Sequence, residues 1–204
     1  MSRCQRSSSI SPSPDLITYR YAGARLLFVG INPHPGSFAR GVPFSNNKSF
    51  WYHLSAAGLI DESRDELCDD ESLRSVYATK FNVVYGLGLV NLVDRPTRGI
   101  SDLRNGEERP GRDRLARIIQ CERPRVVCFV GRATYEKYVG RNDFSFGWQD
   151  QSGWSRLFVM HTPLHGRAAV RIRELRAVQR VAYGPRSADH VRSPRSARPG
   201  SECR

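Results

Sequence analysis

Asn32 closes a short apolar run, Leu26 to Val29, through the turn Gly30-Ile31-Asn32-Pro33. An aromatic ring, Phe44, follows twelve residues later, at the end of a loop rich in Gly and Pro. In an open α/β sheet, ligands bind in the crevice beyond the carboxyl ends of the strands. An amide and an aromatic face in such a crevice suit a flat, hydrogen-bonding ligand such as a nucleobase. A second candidate stands near the other end of the chain. The apolar run 156–160 delivers His161, followed by Thr162-Pro163-Leu164-His165-Gly166-Arg167. In a parallel sheet His161 faces the same crevice as Asn32, and its imidazole changes charge near neutral pH. Asn before Pro is also a common turn former, so residue type alone leaves Asn32 open between a structural and a chemical role.

The elements that must position these residues alternate. Strands are predicted at 26–30, 87–93, 125–130 and 156–160. Helices are predicted near 48–58, in polar segments over 62–79, from Ser101 or Pro110 to about Gln120, over 131–139 and over 168–182. Short β-branched runs separated by helices predict a mostly parallel sheet covered on both faces. The expected fold is a three-layer α/β/α domain around a central four-stranded sheet, spanning residues 21–183. Residues 1–20, with a Ser/Pro-rich start, and the tail 184–204, with five Arg against one Asp and one Glu, have little to bury and are expected to be disordered. Pro33, Pro35, Gly36 and Gly41 leave the fold of the 33–41 loop open. Trp148 and Trp154 are expected to pack, and Asp94 to fix its loop.

The formal net charge is +12. A polyanionic partner is the natural reading, although only three lysines occur and an Arg-rich codon bias would raise the same number. The five cysteines show no Cys-x-x-Cys spacing, which gives no support to a zinc or iron–sulfur site. No cofactor and no metal are expected. No apolar run is long enough to span a bilayer. A cytoplasmic protein that binds no membrane is expected.

Four segments in order carry a family resemblance. They are Gly30-Ile31-Asn32-Pro33 with Pro43-Phe44, Phe50-Trp51 running to Gly58-Leu59, Gly86 to Thr97 (GLGLVNLVDRPT), and Val126 to Glu136 followed by Gly147-Trp148-Gln149. Over roughly residues 24–180 the chain resembles the mismatch-specific uracil-DNA and thymine-DNA glycosylases of the uracil-DNA glycosylase superfamily. One departure stands out. The second active-site loop of that family usually reads Asn-Pro-Ser-Gly-Leu-Ser, whereas Met160-His161-Thr162-Pro163-Leu164 is nearer the His-Pro-Ser-Pro-Leu loop of the wider superfamily.

The resemblance implies a monomeric, monofunctional bacterial enzyme, associated with the nucleoid, that acts on double-stranded DNA containing uracil or a mismatch. It would flip uracil, with other damaged or mismatched bases as further candidates, and hydrolyse its N-glycosidic bond. Asn32 would position the water and contact the flipped nucleotide, and His161 would donate to a uracil carbonyl. Gly30, Ile31 and Pro33 would shape the base pocket, with the Ile31 N–H facing the base or an oxyanion. Phe44 would stack on the base, as aromatic side chains do in such pockets. Ser45, Asn46 and Asn47 would line the pocket or touch phosphate, unless they form a plain polar loop. Lys48, at a helix start, and Arg167 would contact phosphate, and Leu164 or His165 would fill the vacated duplex space, apolar wedges being the usual choice. A Schiff-base lyase step needs a desolvated amine, which these motifs do not offer.

Two rivals remain. A DNA-binding module that kept the fold and lost catalysis is the alternative. A Rossmann-like nucleotide enzyme would need a Gly-x-Gly-x-x-Gly turn after the first strand, and Pro33 and Pro35 remove the amide donors it would use.

Overall fold

The computed structural model describes residues 17–184. Four strands run parallel: β1 (Leu26–Gly30), β2 (Leu87–Asn91), β3 (Val126–Val130) and β5 (Arg156–Met160). A two-residue strand, β4 (Gly147–Trp148), adds antiparallel to β5, so the sheet has five strands in the order β2-β1-β3-β5-β4 rather than the expected four. The fifth escaped the sequence because two residues carry no alternation to read. The register sets Leu26 beside Leu87 and Val126, and Val126 beside Arg156.

Each central strand is buried throughout, and successive side chains serve opposite faces. Leu26, Phe28, Leu89, Cys128 and Met160 pack with α2 (Ser49–Ala57), α4 (Asp70–Thr79) and α7 (Ala168–Tyr183). Leu27, Val29, Val127, Phe129 and Val159 pack on the other face, with α5 (Arg109–Glu122) and α6 (Arg132–Val139). This is the three-layer α/β/α arrangement. Trp51, Phe28 and Phe50 are fully enclosed, and each such side chain is worth about 1.5–3 kcal/mol of burial.

Two short helices complete the chain: α1 (Pro35–Arg40) and α3 (Arg64–Cys68). The first lies in the 33–41 loop, whose fold the sequence leaves open. Pro35 sits in the first turn, where its fixed φ suits a helix and its missing N–H costs nothing. His34 caps it, with Nδ1 accepting from the Gly36 N–H at 3.1 Å.

Residues 17–20 belong to the packed body, so order begins before the expected boundary at 21. Ile17 is buried, and the Arg20 carbonyl accepts from the Leu89 N–H at 2.8 Å. The rest of the N-terminal segment and nearly all of the tail lie outside the described residues. Trp148 packs edge-on against Phe158. Trp154 does not pack as expected: it is 77% exposed, with the Arg123 guanidinium over its ring. No helix among the described residues is long and apolar enough to cross a membrane.

Candidate active site

The chain leaves β1 to one side for β2 and later returns to the other side for β3, and a cleft of about 480 Å³ opens beyond the carboxyl ends of these strands. Gly30, Ile31, Asn32 and Pro33 from the first loop line it, with Phe44, Asn46 and Asn47. Asn91, Thr97 and Arg98 come from the end of β2 and its loop. Arg132 and Phe146 contribute from the β3 side, and Thr162 to His165 from the last loop.

Asn32 is held by its amide nitrogen. Nδ2 donates to Thr97 Oγ1 at 2.7 Å, and to the carbonyls of Thr97 and Pro33, each at 3.2 Å. Thr97 Oγ1 in turn donates to the Gly99 carbonyl at 2.8 Å. The Asn32 carbonyl oxygen has no hydrogen-bond partner among the described residues, so the group left for a ligand is an acceptor. The β2 loop lies close because the Leu92 and Val93 N–H groups bond to the carbonyls of Gly30 and Ile31.

Asn91 is the residue that sequence reasoning missed. It is 3% exposed and ends β2 level with Gly30. Its Nδ2 donates to the Tyr19 hydroxyl at 2.8 Å, and its Oδ1 is buried without a partner among the described residues. Burial pushes the Tyr19 hydroxyl well above its usual range, so it stays a neutral phenol. A Cβ on Gly30 would lie 2.1 Å from Asn91 Oδ1 and 3.2 Å from the edge of the Phe44 ring. Glycine at position 30 is therefore what lets amide and ring converge. The signal was present in the sequence: an amide closing an apolar strand, as in Asn32, on the same edge of the sheet.

Phe44 is half-buried, with its ring 4.5 Å from that of Phe50 and tilted by 30°. Its φ is +58°, a left-handed conformation that a bulky side chain rarely adopts. Strain of this kind persists where surrounding structure holds it. Here the Trp51 indole N–H donates to the Pro43 carbonyl at 2.9 Å and pins the turn.

Several expected residues sit differently. Ser45 is 2% exposed and lies off the cleft, its hydroxyl unpartnered among the described residues. It points into the body because the Phe44 turn reverses the chain there. Lys48 is not free for phosphate. Its ammonium lies 2.5 Å from Asp70 Oδ1 and 2.5 Å from the Cys68 carbonyl, and Arg40 takes the other Asp70 oxygen at 2.9 Å. The two cations hold the Asp70 carboxyl below its ordinary value. Asn47 lines the cleft and accepts from the Ser49 N–H at 3.0 Å, turning the chain into α2. Asp94 is bound by both arms of Arg114, at 2.6 and 2.9 Å, which suits its expected structural role.

His161 reaches the end of β5 but does not itself line the cleft. Phe146, which does, stacks on its ring at 3.7 Å. His161 Nδ1 lies 2.5 Å from Glu174 Oε1, and the His161 backbone N–H donates to Glu174 Oε2 at 3.0 Å. A carboxylate only accepts, so Nδ1 carries the proton and a neutral ring presents Nε2 as an acceptor. Leu164 (53% exposed) and His165 stand at the cleft, and Arg167 is exposed just before α7. Beside this loop, at the end of β3, the Arg132 guanidinium is fixed by the carbonyls of Phe144 and Asn142.

A cleft at the carboxyl edge of a parallel sheet, with the Asn91 amide and the Phe44 ring converging on Gly30 and the Asn32 amide on its wall, defines a site for a flat heterocycle. The model of the uracil DNA glycosylase superfamily matches residues 18–179, and the chain belongs to that superfamily. Membership carries with it DNA as the macromolecule acted on and glycosidic-bond hydrolysis as the class of chemistry.

Proposed function

We propose that this protein is a monofunctional DNA glycosylase that extrudes uracil and hydrolyses its N-glycosidic bond. The observation that carries the reading is the meeting of Phe44 and the unpartnered Asn91 carbonyl oxygen at Gly30, within reach of the Asn32 loop. A buried acceptor without a partner is costly. The imide N–H of uracil or thymine, or the ring N–H of hypoxanthine, would satisfy it, and Phe44 would stack on the base.

The bond between the base nitrogen and C1′ breaks with its electron pair on the base, which departs as an anion. The Asn32 carbonyl oxygen accepts from a water and aims it at C1′. An amide is no strong base, so the sugar must develop oxocarbenium character before the water adds and loses its proton. Positive charge from Arg98 and from the anchored Arg132 on the cleft wall favours the departing anion. None of the cleft-lining residues is a lysine, which supports hydrolysis without a lyase step. His161 would reach a uracil carbonyl only where Phe146, which stacks on its ring and lines the cleft, moves aside. Leu164 is the better wedge candidate of the two, and Arg167 the phosphate contact. We expect the enzyme to act as a monomer on mispaired duplexes.

The test is single-turnover base release from duplexes with uracil opposite guanine, uracil opposite adenine and thymine opposite guanine. Uracil release by wild type that falls by about 10²–10³-fold in Asn32→Ala supports the reading. Intact DNA binding with no release from any duplex overturns it in favour of a binding module.

A further inference from the structure

Arg171 is 7% exposed, and its guanidinium meets backbone carbonyls rather than a carboxylate. Nε donates to the Thr162 carbonyl at 3.0 Å, one terminal nitrogen to the Arg167 carbonyl at 3.1 Å, and the other to the His165 carbonyl. One helical turn further along α7, Glu174 accepts from both the backbone N–H and the ring of His161. Two side chains on one face of α7 thus engage four of the seven residues of the 161–167 loop. Gly166 leaves room for the clamp. Its φ is +87°, and a Cβ there would lie 2.7 Å from the Arg171 guanidinium.

This arrangement is expensive. Arg171 lies in the first turn of α7, where the helix macrodipole disfavours a cation. Burying a charge costs several kcal/mol unless its hydrogen bonds are well made. Its field reaches α2, where burial first and the Arg171 charge second hold the His53 imidazole below its ordinary value. Glu174, the nearest carboxylate along the helix, is occupied by His161. A methionine would fill the same space at lower electrostatic cost but could bind no carbonyl.

The structure assigns Arg171 and Glu174 as positioning residues that hold the 161–167 loop in a preformed shape, so that Leu164 and His165 stand ready at the cleft when a duplex arrives. The clamp itself is read from this geometry, and its use on DNA rests on the glycosylase reading. The two residues touch no substrate and act through the loop. A wedge matters for opening a paired helix and not for a strand already open, so the clamp serves duplex substrates selectively.

Two measurements on the full chain test this. The first is hydrogen exchange at the His161 amide, whose acceptor is Glu174, and at the Leu164 amide, which bonds within the loop to Thr162. Arg171→Lys keeps the charge but offers a point ammonium in place of a fork. Glu174→Gln keeps the shape but leaves one acceptor oxygen for two donors. Faster exchange at these amides, with core amides unchanged, is expected in both variants. Unchanged exchange overturns the clamp, whatever the enzyme's activity.

The second measurement compares uracil release from a uracil–guanine duplex and from the same strand alone. Both variants should lose about 10- to 100-fold on the duplex, the cost of a misplaced group, and far less on the single strand. An equal fall on both, together with a lower melting temperature, would reduce the pair to general stability and overturn the positioning role. If wild type releases uracil from neither, the glycosylase reading fails while the exchange result still decides the clamp.

Discussion

The side-chain amide nitrogen of Asn32 lies 2.7 Å from the hydroxyl of Thr97, sixty-five residues away in the chain. That bond decides which end of the Asn32 amide faces the cleft. With Nδ2 committed to Thr97, the carbonyl oxygen is presented, and an oxygen is what a water's hydrogen needs. Thr97→Val keeps the shape and removes the acceptor. The amide then keeps only the Thr97 and Pro33 carbonyls, each at 3.2 Å, so its orientation is held more weakly, and base release should slow by about tenfold, the worth of one good hydrogen bond. The loss should fall on the single-turnover rate constant rather than on DNA affinity. A changed affinity with an unchanged rate constant would show that Thr97 serves binding and does not orient Asn32.

Gly30→Ala should damage the base pocket through Asn91. The added methyl would press on the Asn91 carbonyl oxygen inside a closed space, and overpacking of this kind costs about 1–3 kcal/mol. The double variant Gly30→Ala/Asn91→Ala should recover most of the lost stability and none of the activity. Melting temperature and base release measured on all four proteins of the cycle check this. Additive losses in stability would show that the methyl clashes elsewhere.

Most of this site was legible in the chain, and the exceptions have physical causes. The amide-at-strand-end pattern that marks Asn32 applies equally to Asn91, but Asn91 is followed by an apolar Leu92-Val93 that hides the strand's end. The parallel sheet could be read from four five-residue apolar runs, while β4 and α1 are too short to print a period. Lys48 illustrates a different limit. Its place before α2 suggests a phosphate contact, but its partner Asp70 is twenty-two residues away, and only the folded packing of α2, α3 and α4 brings them together. The Phe44 turn likewise buries Ser45, because a left-handed φ cannot be anticipated at a phenylalanine.

The charges therefore divide into those spent inside the protein and those left for DNA. Lys48→Ala should leave the salt dependence of DNA binding unchanged, since Asp70 and the Cys68 carbonyl already hold that ammonium. Arg167→Ala should lower the slope of log K against log[salt] by about 1, the signature of one lost phosphate contact. Titrations of a uracil–guanine duplex at several salt concentrations, with inactive Asn32→Ala as the parent, separate the two. A reduced slope for Lys48→Ala would mean that the ion pair opens on DNA.

Acid should loosen the loop that carries Thr97 before it unfolds the domain. The Arg95 side chain, and then the Arg104 backbone N–H, hold the Glu107 carboxyl down to about 2, against an ordinary value of 4.5. Arg95 donates to both Glu107 oxygens, at 2.6 and 2.7 Å, and to the Asp102 carbonyl at 2.9 Å, so this carboxylate closes the loop from 95 to 107. A depressed carboxyl stabilises the folded state fully above its unfolded value. That contribution is lost as pH falls from about 4.5 towards 2, because protonation then costs the native state its ion pair. Glu107→Gln should remove this part of the acid dependence, leaving stability flatter across that window. Denaturant titrations of wild type and variant at steps between pH 5 and 2.5 check it. Parallel curves would mean that Glu107 keeps its Arg95 contact in the unfolded chain or makes none of consequence in the folded one.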